Sequence, residues 1–154
     1  MRDRSATTDG GERIEAGFYD DPVVYDILHT PGTAREVDGL TRIARRFVSA
    51  PSGAALRWLE PACGTGRYLR VAAKRGAQAI GFDESAAMVA YASERAPRNM
   101  HVYTAGMETF VGAGCEAGSI GFAFNLINTF RHLMDDAAAA AHLREMRAAL
   151  CDGG

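Results

Sequence analysis

Two carboxylates bracket a glycine-rich turn in the first half of the chain. Glu60 lies just before the turn that contains Gly64 and Gly66, and Asp83 follows 17 residues after Gly66, at the end of the next apolar segment. The glycines can adopt positive φ and leave backbone N–H groups open to a ligand. A carboxylate before the turn repels a diphosphate and attracts an ammonium group, and an aspartate at the second position can accept two hydrogen bonds from a ribose diol. The pattern predicts a site for a nucleoside with a cationic amino-acid end.

Each of these features also has a purely structural interpretation. A G-x-G turn can be no more than a tight connection between a strand and a helix, and Asp83 can cap a helix that begins near Ser85. The dinucleotide fingerprint G-x-G-x-x-G requires a third small residue, and Leu69 occupies that position. An NAD(P)-dependent oxidoreductase domain is therefore the least favoured interpretation.

Short apolar segments alternate with helical patterns and would position these residues. A short helix is predicted over 22–28, and a second one carries an apolar stripe at Val37, Leu40, Ala44, Phe47 and Val48. Strands are predicted at 56–59, 79–82, 101–104 and 120–127, with a last helix from Asp135 to about Leu150 that buries Leu143, Met146 and Leu150. This alternation predicts an α/β fold with a doubly wound, mainly parallel sheet.

Composition narrows the class of protein. The chain has 154 residues, 47% of them hydrophobic, and a formal net charge of −2, as expected for a globular domain without a nucleic-acid or membrane partner. No apolar segment approaches the roughly 20 residues of a membrane span, and the N-terminus lacks a secretory signal, so we expect a cytoplasmic protein. Cys63, Cys115 and Cys151 form no CxxC pair, which argues against a disulfide framework and against a metal site.

Five segments, in order, resemble class I S-adenosylmethionine (SAM)-dependent methyltransferases, especially those that act on small molecules. The segments are LEPACGTGRYL, IGFDESAAMVAYA, AGMETF, FAFNLINTFRHL and LREMRAALCDGG, and the resemblance covers about residues 20–154. It implies a Rossmann-like methyltransferase fold, SAM as the cofactor and a small-molecule methyl acceptor. The implied division is a flexible N-terminal arm over 1–17, a helical lid segment over 18–50 and a SAM-binding core with the first four strands over 51–154.

The resemblance also implies roles for single residues. The first motif holds the methionine part of the cofactor, Asp83 holds the ribose hydroxyls, and the residues after Asp83 lie near the adenosine. Many members carry Gly-Asp-Met after the third strand, where the acid meets the adenine amino group; this sequence reads Ala-Gly-Met, so backbone groups, Met107 or Glu108 would have to substitute. The implied cofactor-binding residues are Glu60, Ala62, Cys63, Gly64, Gly66, Asp83, Glu84, Met88, Gly106, Met107, Glu108, Asn125 and Leu126.

Two histidines are candidates for a catalytic base. His132 follows the fourth predicted strand on the cofactor side, and a neutral histidine is a common base near pH 7. Contact with the following helix is the structural alternative for His132. His29 lies in the lid segment and is the second candidate, whereas Tyr25 is expected to pack. His142 is expected to be structural, and Cys63 has no adjacent histidine that would activate it as a nucleophile.

Enzymes of the resembling family continue after the Gly-Gly at 153–154 with a further strand, and the sequence is therefore expected to represent a C-terminally incomplete domain. The edge of the fourth strand would then be unpaired and prone to association, which predicts a homodimer through that edge. A non-catalytic SAM-binding or interaction fragment is the alternative function.

Overall fold

The computed structural model describes residues 21–51, 53, 57–126 and 129–154. The predicted flexible arm over 1–17 lies outside the described residues. So do residue 56, the first of the first predicted strand, and residue 127, the last of the fourth predicted strand. No helix within the described ranges is long and apolar enough to cross a membrane.

Two helices precede the sheet. Helix α1 spans Pro22–His29 and begins at Asp21, whose side chain accepts hydrogen bonds from the N–H groups of Val23 and Val24. Helix α2 spans Thr33–Phe47. The prediction that Phe47 is buried is wrong, since its side chain is 71% exposed. Phe47 is the last residue of α2 and lies ten positions after Val37, which turns it about 80° away from Val37 around the helix axis.

The sheet is parallel throughout. Its strands are β1 (Arg57–Pro61), β2 (Gln78–Asp83), β3 (Met100–Thr104) and β4 (Phe122–Ala123), in the order β3-β2-β1-β4. β4 is shorter than the predicted strand over 120–127, although the N–H of Phe124 still donates to the carbonyl of Leu59. Chain order reverses between β1 and β4, and such a switch point is where ligands bind in open α/β sheets.

Three further helices and one short helical turn complete the described elements. They are α3 (Arg67–Lys74), α4 (Ala86–Glu94), a 3₁₀ turn (Thr129–His132) and α5 (Asp136–Ala149). Asp135 caps α5 as predicted, accepting from the N–H of Ala138. The prediction that Leu143 is buried is wrong, because it is 58% exposed and its neighbour His142 faces the core instead.

Side chains on the two faces of the sheet belong to two separate apolar clusters. Trp58 and Val102 belong to the cluster under α2, α3 and α4, whereas Leu59 and Phe82 belong to the cluster that includes Phe110 and residues of α5. Both faces of the parallel sheet are therefore covered, and the doubly wound α/β fold class is confirmed.

Candidate active site

A cavity of about 460 Å³ opens at the carboxyl ends of β1, β2 and β3. Eight of the predicted site residues line it and seven do not. The lining residues are Tyr25, Ala62, Gly64, Asp83, Glu84, Ser85, Met88, Ala105, Gly106, Met107, Thr129 and His132. The predicted residues that do not line it are Glu60, Cys63, Gly66, Glu108, Asn125, Leu126 and His29.

The turn after β1 has an alternating left-handed backbone. Ala62, Gly64 and Gly66 have φ values of 47°, 53° and 67°. Gly66 is required for a second reason, because a Cβ atom there would lie 2.6 Å from the terminal methyl of Met100. The turn thus presents bare backbone at Gly64 while it packs tightly at Gly66.

Asp83 holds this turn in place. Its Oδ2 accepts a hydrogen bond of 2.8 Å from the N–H of Gly64, and its Oδ1 accepts one of 2.9 Å from the N–H of Ser85. The side chain that caps α4 is that of Ser85, which accepts from the N–H of Met88, and Asp83 binds the N–H of this cap residue while it also lines the cavity. Each carboxylate oxygen keeps further acceptor capacity for a ligand hydroxyl.

Glu60 is a buried acid, and one of its carboxylate oxygens has no hydrogen-bond partner among the described residues. Its side chain belongs to a residue only 6% exposed, and Oε2 makes no hydrogen bond to any described residue. Burial raises the pKa of Glu60 well above its usual range, the charge of Arg67 opposes that rise and the charge of Asp83 adds to it. An orphaned buried oxygen of this kind is suited to a cationic hydrogen-bond donor, which would offset the cost of ionising it.

A second orphaned group lies after β4. Both the Oδ1 and the Nδ2 of Asn125 are buried and have no partner within the described part of the chain. Buried amides are normally hydrogen-bonded, so two unsatisfied atoms on one side chain point to a polar ligand group beside it. Leu126 packs against the apolar cluster that contains Trp58.

Cys63 is inert by position. It is buried, and burial raises the pKa of its thiol well above the usual range, with the charges of Glu60 and Asp83 acting in the same direction. The thiolate needed for nucleophilic chemistry is therefore disfavoured. This agrees with the expectation that Cys63 is not a nucleophile.

The carboxylate of Asp26 connects helix α1 to the glycine turn and to the helices that follow β1 and β2. Asp26 accepts hydrogen bonds from the Oγ1 of Thr65 at 2.8 Å, from Arg70 at 2.7 Å and from the hydroxyl of Tyr91 at 3.2 Å. Burial acts to raise the pKa of Asp26, but these hydrogen bonds and the charge of Arg70 outweigh it and leave the pKa lowered. This places Tyr25 beside Gly64, with its ring 3.6 Å from the position of a Cβ atom there.

The two candidate histidines differ in position. His132 lines the cavity from the 3₁₀ turn. His29 does not line it; its Nδ1 donates to the carbonyl of Tyr25 at 2.9 Å, and its ring stacks on the Tyr25 ring at 4.1 Å. The structure therefore brings His132 to the cavity and gives His29 a position behind Tyr25.

Sequence reasoning missed four lining residues and one anchor. Ser85 and Ala105 adjoin predicted residues and could have been found from that adjacency. Tertiary packing brings Tyr25, Thr129 and the anchor Asp26 to the site. The partners of Asp26 lie 39 to 65 residues away in the chain, and no local spacing indicates these contacts.

Comparisons with known proteins agree with this geometry. Residues 59–154 match the family model described as a methyltransferase domain, and the chain belongs to that family. A search of curated proteins found no match.

Solved structures show the same fold. The sugar N-methyltransferase KedS8 from Streptoalloteichus sp. ATCC 53650 is 23% identical, with a TM-score of 0.73 over 100% of this chain and 57% of that one. DesVI from Streptomyces venezuelae is 21% identical, with a TM-score of 0.72 over 86% and 53%. SAM-bound CalS10, an amino pentose methyltransferase from Micromonospora echinaspora, is 24% identical, with a TM-score of 0.68 over 84% and 52%. The chain spans about half the length of these structures.

Proposed function

We propose that this chain binds SAM in the cavity at the carboxyl ends of β1–β3 and contributes to methyl transfer to a small-molecule acceptor. The observation that carries the proposal is the pair of acids around bare glycine backbone. Glu60 offers a buried, unpartnered oxygen, and Asp83 lines the cavity while it fixes the N–H of Gly64. A ribose diol matches Asp83, which lines the cavity, and a cationic end matches the unpartnered Oε2 of Glu60, which is not among the lining residues and whose ionisation a cation would favour.

Three further residues have side chains or backbone suited to SAM. Asn125 supplies a buried amide with both atoms unsatisfied, which suits the polar amino-acid end. Gly106 and Met107 line the opposite end, where the soft thioether of Met107 suits a ring face. The family membership of the chain and the SAM bound in CalS10 support the same assignment, and nothing supports the oxidoreductase alternative.

The residues of the chain would act mainly by positioning. When bound, the cofactor supplies a methyl group already activated by a sulfonium. Tyr25 and the glycine turn enclose one end of the cavity and exclude water, and orientation of this kind can be worth about 7–11 kcal/mol in favourable cases. His132 would accept the proton of an acceptor hydroxyl or amine at a ring nitrogen.

We propose an amine of a sugar as the first acceptor class to test. The titles of CalS10 and KedS8 name an amino pentose and a sugar N-methyl transfer, respectively. The fold match supports the choice of acceptors, and the lid segment over 18–50, the homodimer through the β4 edge and a cytoplasmic location stay predictions.

Titration calorimetry with SAM and with S-adenosylhomocysteine tests the cofactor assignment. We expect saturable binding by the wild-type chain and loss of at least 100-fold in affinity for Asp83→Ala. Asp38→Ala is the control, since Asp38 is exposed and pairs with Arg75 on another surface. Equal affinity for the wild-type chain and Asp83→Ala, or no binding by either ligand, would overturn the proposal.

A non-catalytic binding or interaction fragment is the second candidate. It is favoured by the apolar side chains that α1 exposes, among them Ile27 at 68% and Leu28 at 59%, together with Met134 at 89%. The two candidates differ in a methyl-transfer assay with amino-sugar acceptors. Cofactor binding without turnover of any acceptor would favour the fragment, and turnover would exclude it.

A further inference from the structure

Two side chains of helix α5 form hydrogen bonds with the backbone of the loop after β3. The Nδ1 of His142 donates to the carbonyl of Met107 at 3.0 Å, which fixes the tautomer because a carbonyl only accepts. One turn later, the Oε2 of Glu145 accepts from the N–H groups of Phe110 and Val111 at 2.9 and 2.8 Å. The backbone of residues 107–111 is thus held by two side chains from a distant helix.

The same imidazole also touches the segment that carries His132. The ring of His142 packs edge-on against Phe130 at 6.0 Å, and Phe130 lies on the 3₁₀ turn between Thr129 and His132. Both of those neighbours line the cavity. The ring of His142 also lies 6.4 Å from the Phe110 ring, on the loop after β3. His142 is 2% exposed and does not line the cavity, so it acts on the cavity through these neighbours.

The loop that His142 holds is the one without the usual acid. Gly106 and Met107 line the cavity, whereas Glu108 is exposed and does not line it. Residues 105–108 direct no carboxylate at the cavity, so this loop contributes through the position of its backbone and of Met107, beside the carboxylate of Glu84, whose Oε1 lies 4.0 Å from the Cβ position of Gly106. A small displacement of the Met107 carbonyl would therefore change the site directly.

We propose that His142 is a positioning residue with two separable functions: its Nδ1–H sets the Met107 loop for cofactor binding, and its ring sets the turn that carries His132 for methyl transfer. This inference rests on the proposed function. The hydrogen bond can be removed while an aromatic ring is kept against Phe130 and Phe110, and the ring can be removed while a donor to the Met107 carbonyl is kept.

Two variants separate the functions. His142→Phe keeps an aromatic ring against Phe130 and leaves the Met107 carbonyl without its donor. His142→Asn keeps a donor near the position of Nδ1 and removes the ring. Leu143→Ala is the matched control, because Leu143 is the next residue of α5 and its side chain is 58% exposed.

We expect His142→Phe to weaken S-adenosylhomocysteine binding about 10-fold, which is the size of a lost hydrogen bond that leaves a buried acceptor unsatisfied, and to speed hydrogen exchange in residues 106–112. We expect His142→Asn to restore cofactor affinity to within about 2-fold of wild type, to speed exchange in residues 129–134 and to lower kcat more than it raises KM for SAM. Leu143→Ala should match wild type in every measurement.

Equal loss of cofactor affinity in both variants, or no loss in either, would overturn the inference. Thermal melts of all four proteins show whether a variant has simply failed to fold, and a variant that does not fold is replaced by His142→Gln with the same exchange measurement. If wild type itself binds no S-adenosylhomocysteine, the proposed function fails; if wild type binds and the two variants do not separate, only the role of His142 fails.

Discussion

The two ends of the cavity are built in different ways. The end formed by β1 and β2 uses acids and glycines that are neighbours of the turn: Asp83 holds Gly64, and Glu60 lies one strand end away. The end formed by β3 and the 3₁₀ turn has no acid among residues 105–108 that lines the cavity, although Glu84 Oε1 approaches Gly106, and its loop is held by His142. The first end is therefore held by contacts local to the turn, and the second end by a contact from a distant helix.

Glycine substitutions should show this contrast most strongly. Gly66→Ala places a methyl group on a residue with a φ of 67°, 3.3 Å from the Cβ of Ala92 and 2.6 Å from the flexible end of Met100, so backbone strain and close packing add. We expect the free energy of unfolding to fall by about 2 kcal/mol, mostly from the strain. Gly106→Ala should cost less than about 1 kcal/mol, because its methyl group would meet only Glu84 Oε1 at 4.0 Å and no positive φ is involved.

Urea unfolding of both variants measures the difference. Gly76→Ala serves as a control for strain alone, since Gly76 has a φ of 98° and open space around it. A Gly106→Ala variant as unstable as Gly66→Ala would contradict the contrast between the two ends.

Glu60 is expected to lower the free energy of unfolding and to strengthen cofactor binding. The pKa of Glu60 is raised above 4.5 in the folded chain, so the unfolded chain ionises first as pH rises and stability falls from about pH 4.5 towards the folded pKa. Glu60→Gln removes that loss, and we expect it to increase the free energy of unfolding at pH 7 by about 1 kcal/mol or more.

The same variant should bind the cofactor about 10- to 100-fold more weakly, since a charge-assisted hydrogen bond is worth about 1.5–3 kcal/mol. Unfolding curves from pH 4 to 8 and calorimetry with S-adenosylhomocysteine measure the two effects. Glu94→Gln is the control, because Glu94 is an exposed acid that does not line the cavity. A less stable Glu60→Gln variant with unchanged affinity would show that Glu60 has a structural role only.

Among the described residues, Asp26 connects helix α1 to the first end. Asp26 bonds Thr65, Arg70 and Tyr91, all in the segment that follows β1 and β2. Its pKa is lowered below 3.8, so its contribution is present above that pH and is lost as pH falls through the folded pKa. We expect Asp26→Asn to cost about 1–2 kcal/mol at pH 7 and less at pH 3, where the contribution of the ionised carboxylate has begun to fall.

Unfolding at both pH values and hydrogen exchange in residues 22–29 measure this effect. Asp38→Asn is the matched control, since the exposed pair of Asp38 with Arg75 is worth about 0–1 kcal/mol. Faster exchange in 129–134 than in 22–29 would contradict the assignment of α1 to the first end.

The sequence predicted the fold class, and it predicted that Gly64 and Asp83 lie together, because both are encoded locally. Gly64 and Asp83 stand at or just after the ends of neighbouring strands, and the alternation of strands and helices fixes which strand ends meet. Glu60 was predicted with them but does not line the cavity. The prediction that Phe47 and Leu143 are buried was wrong, because the exposure of a helix residue depends on how the helix is placed against the core. The contact of His142 with Met107 joins residues 35 apart and leaves no periodic signal, so the second end was not predictable in detail.

The smallest effect concerns the one non-glycine residue of the turn with positive φ. Ala62 has a φ of 47°, a conformation that costs an L-residue about 1–2 kcal/mol relative to the right-handed region and costs glycine almost nothing. Ala62→Gly relieves that strain, but glycine also gains freedom in the unfolded chain worth about 0.4–1 kcal/mol. We expect a net gain of at most about 1 kcal/mol in the free energy of unfolding, measured by urea unfolding beside Ala105→Gly, which has no positive φ to relieve and should only lose stability. A destabilised Ala62→Gly variant would mean that the methyl group of Ala62, which lines the cavity, contributes more through packing than its backbone strain costs.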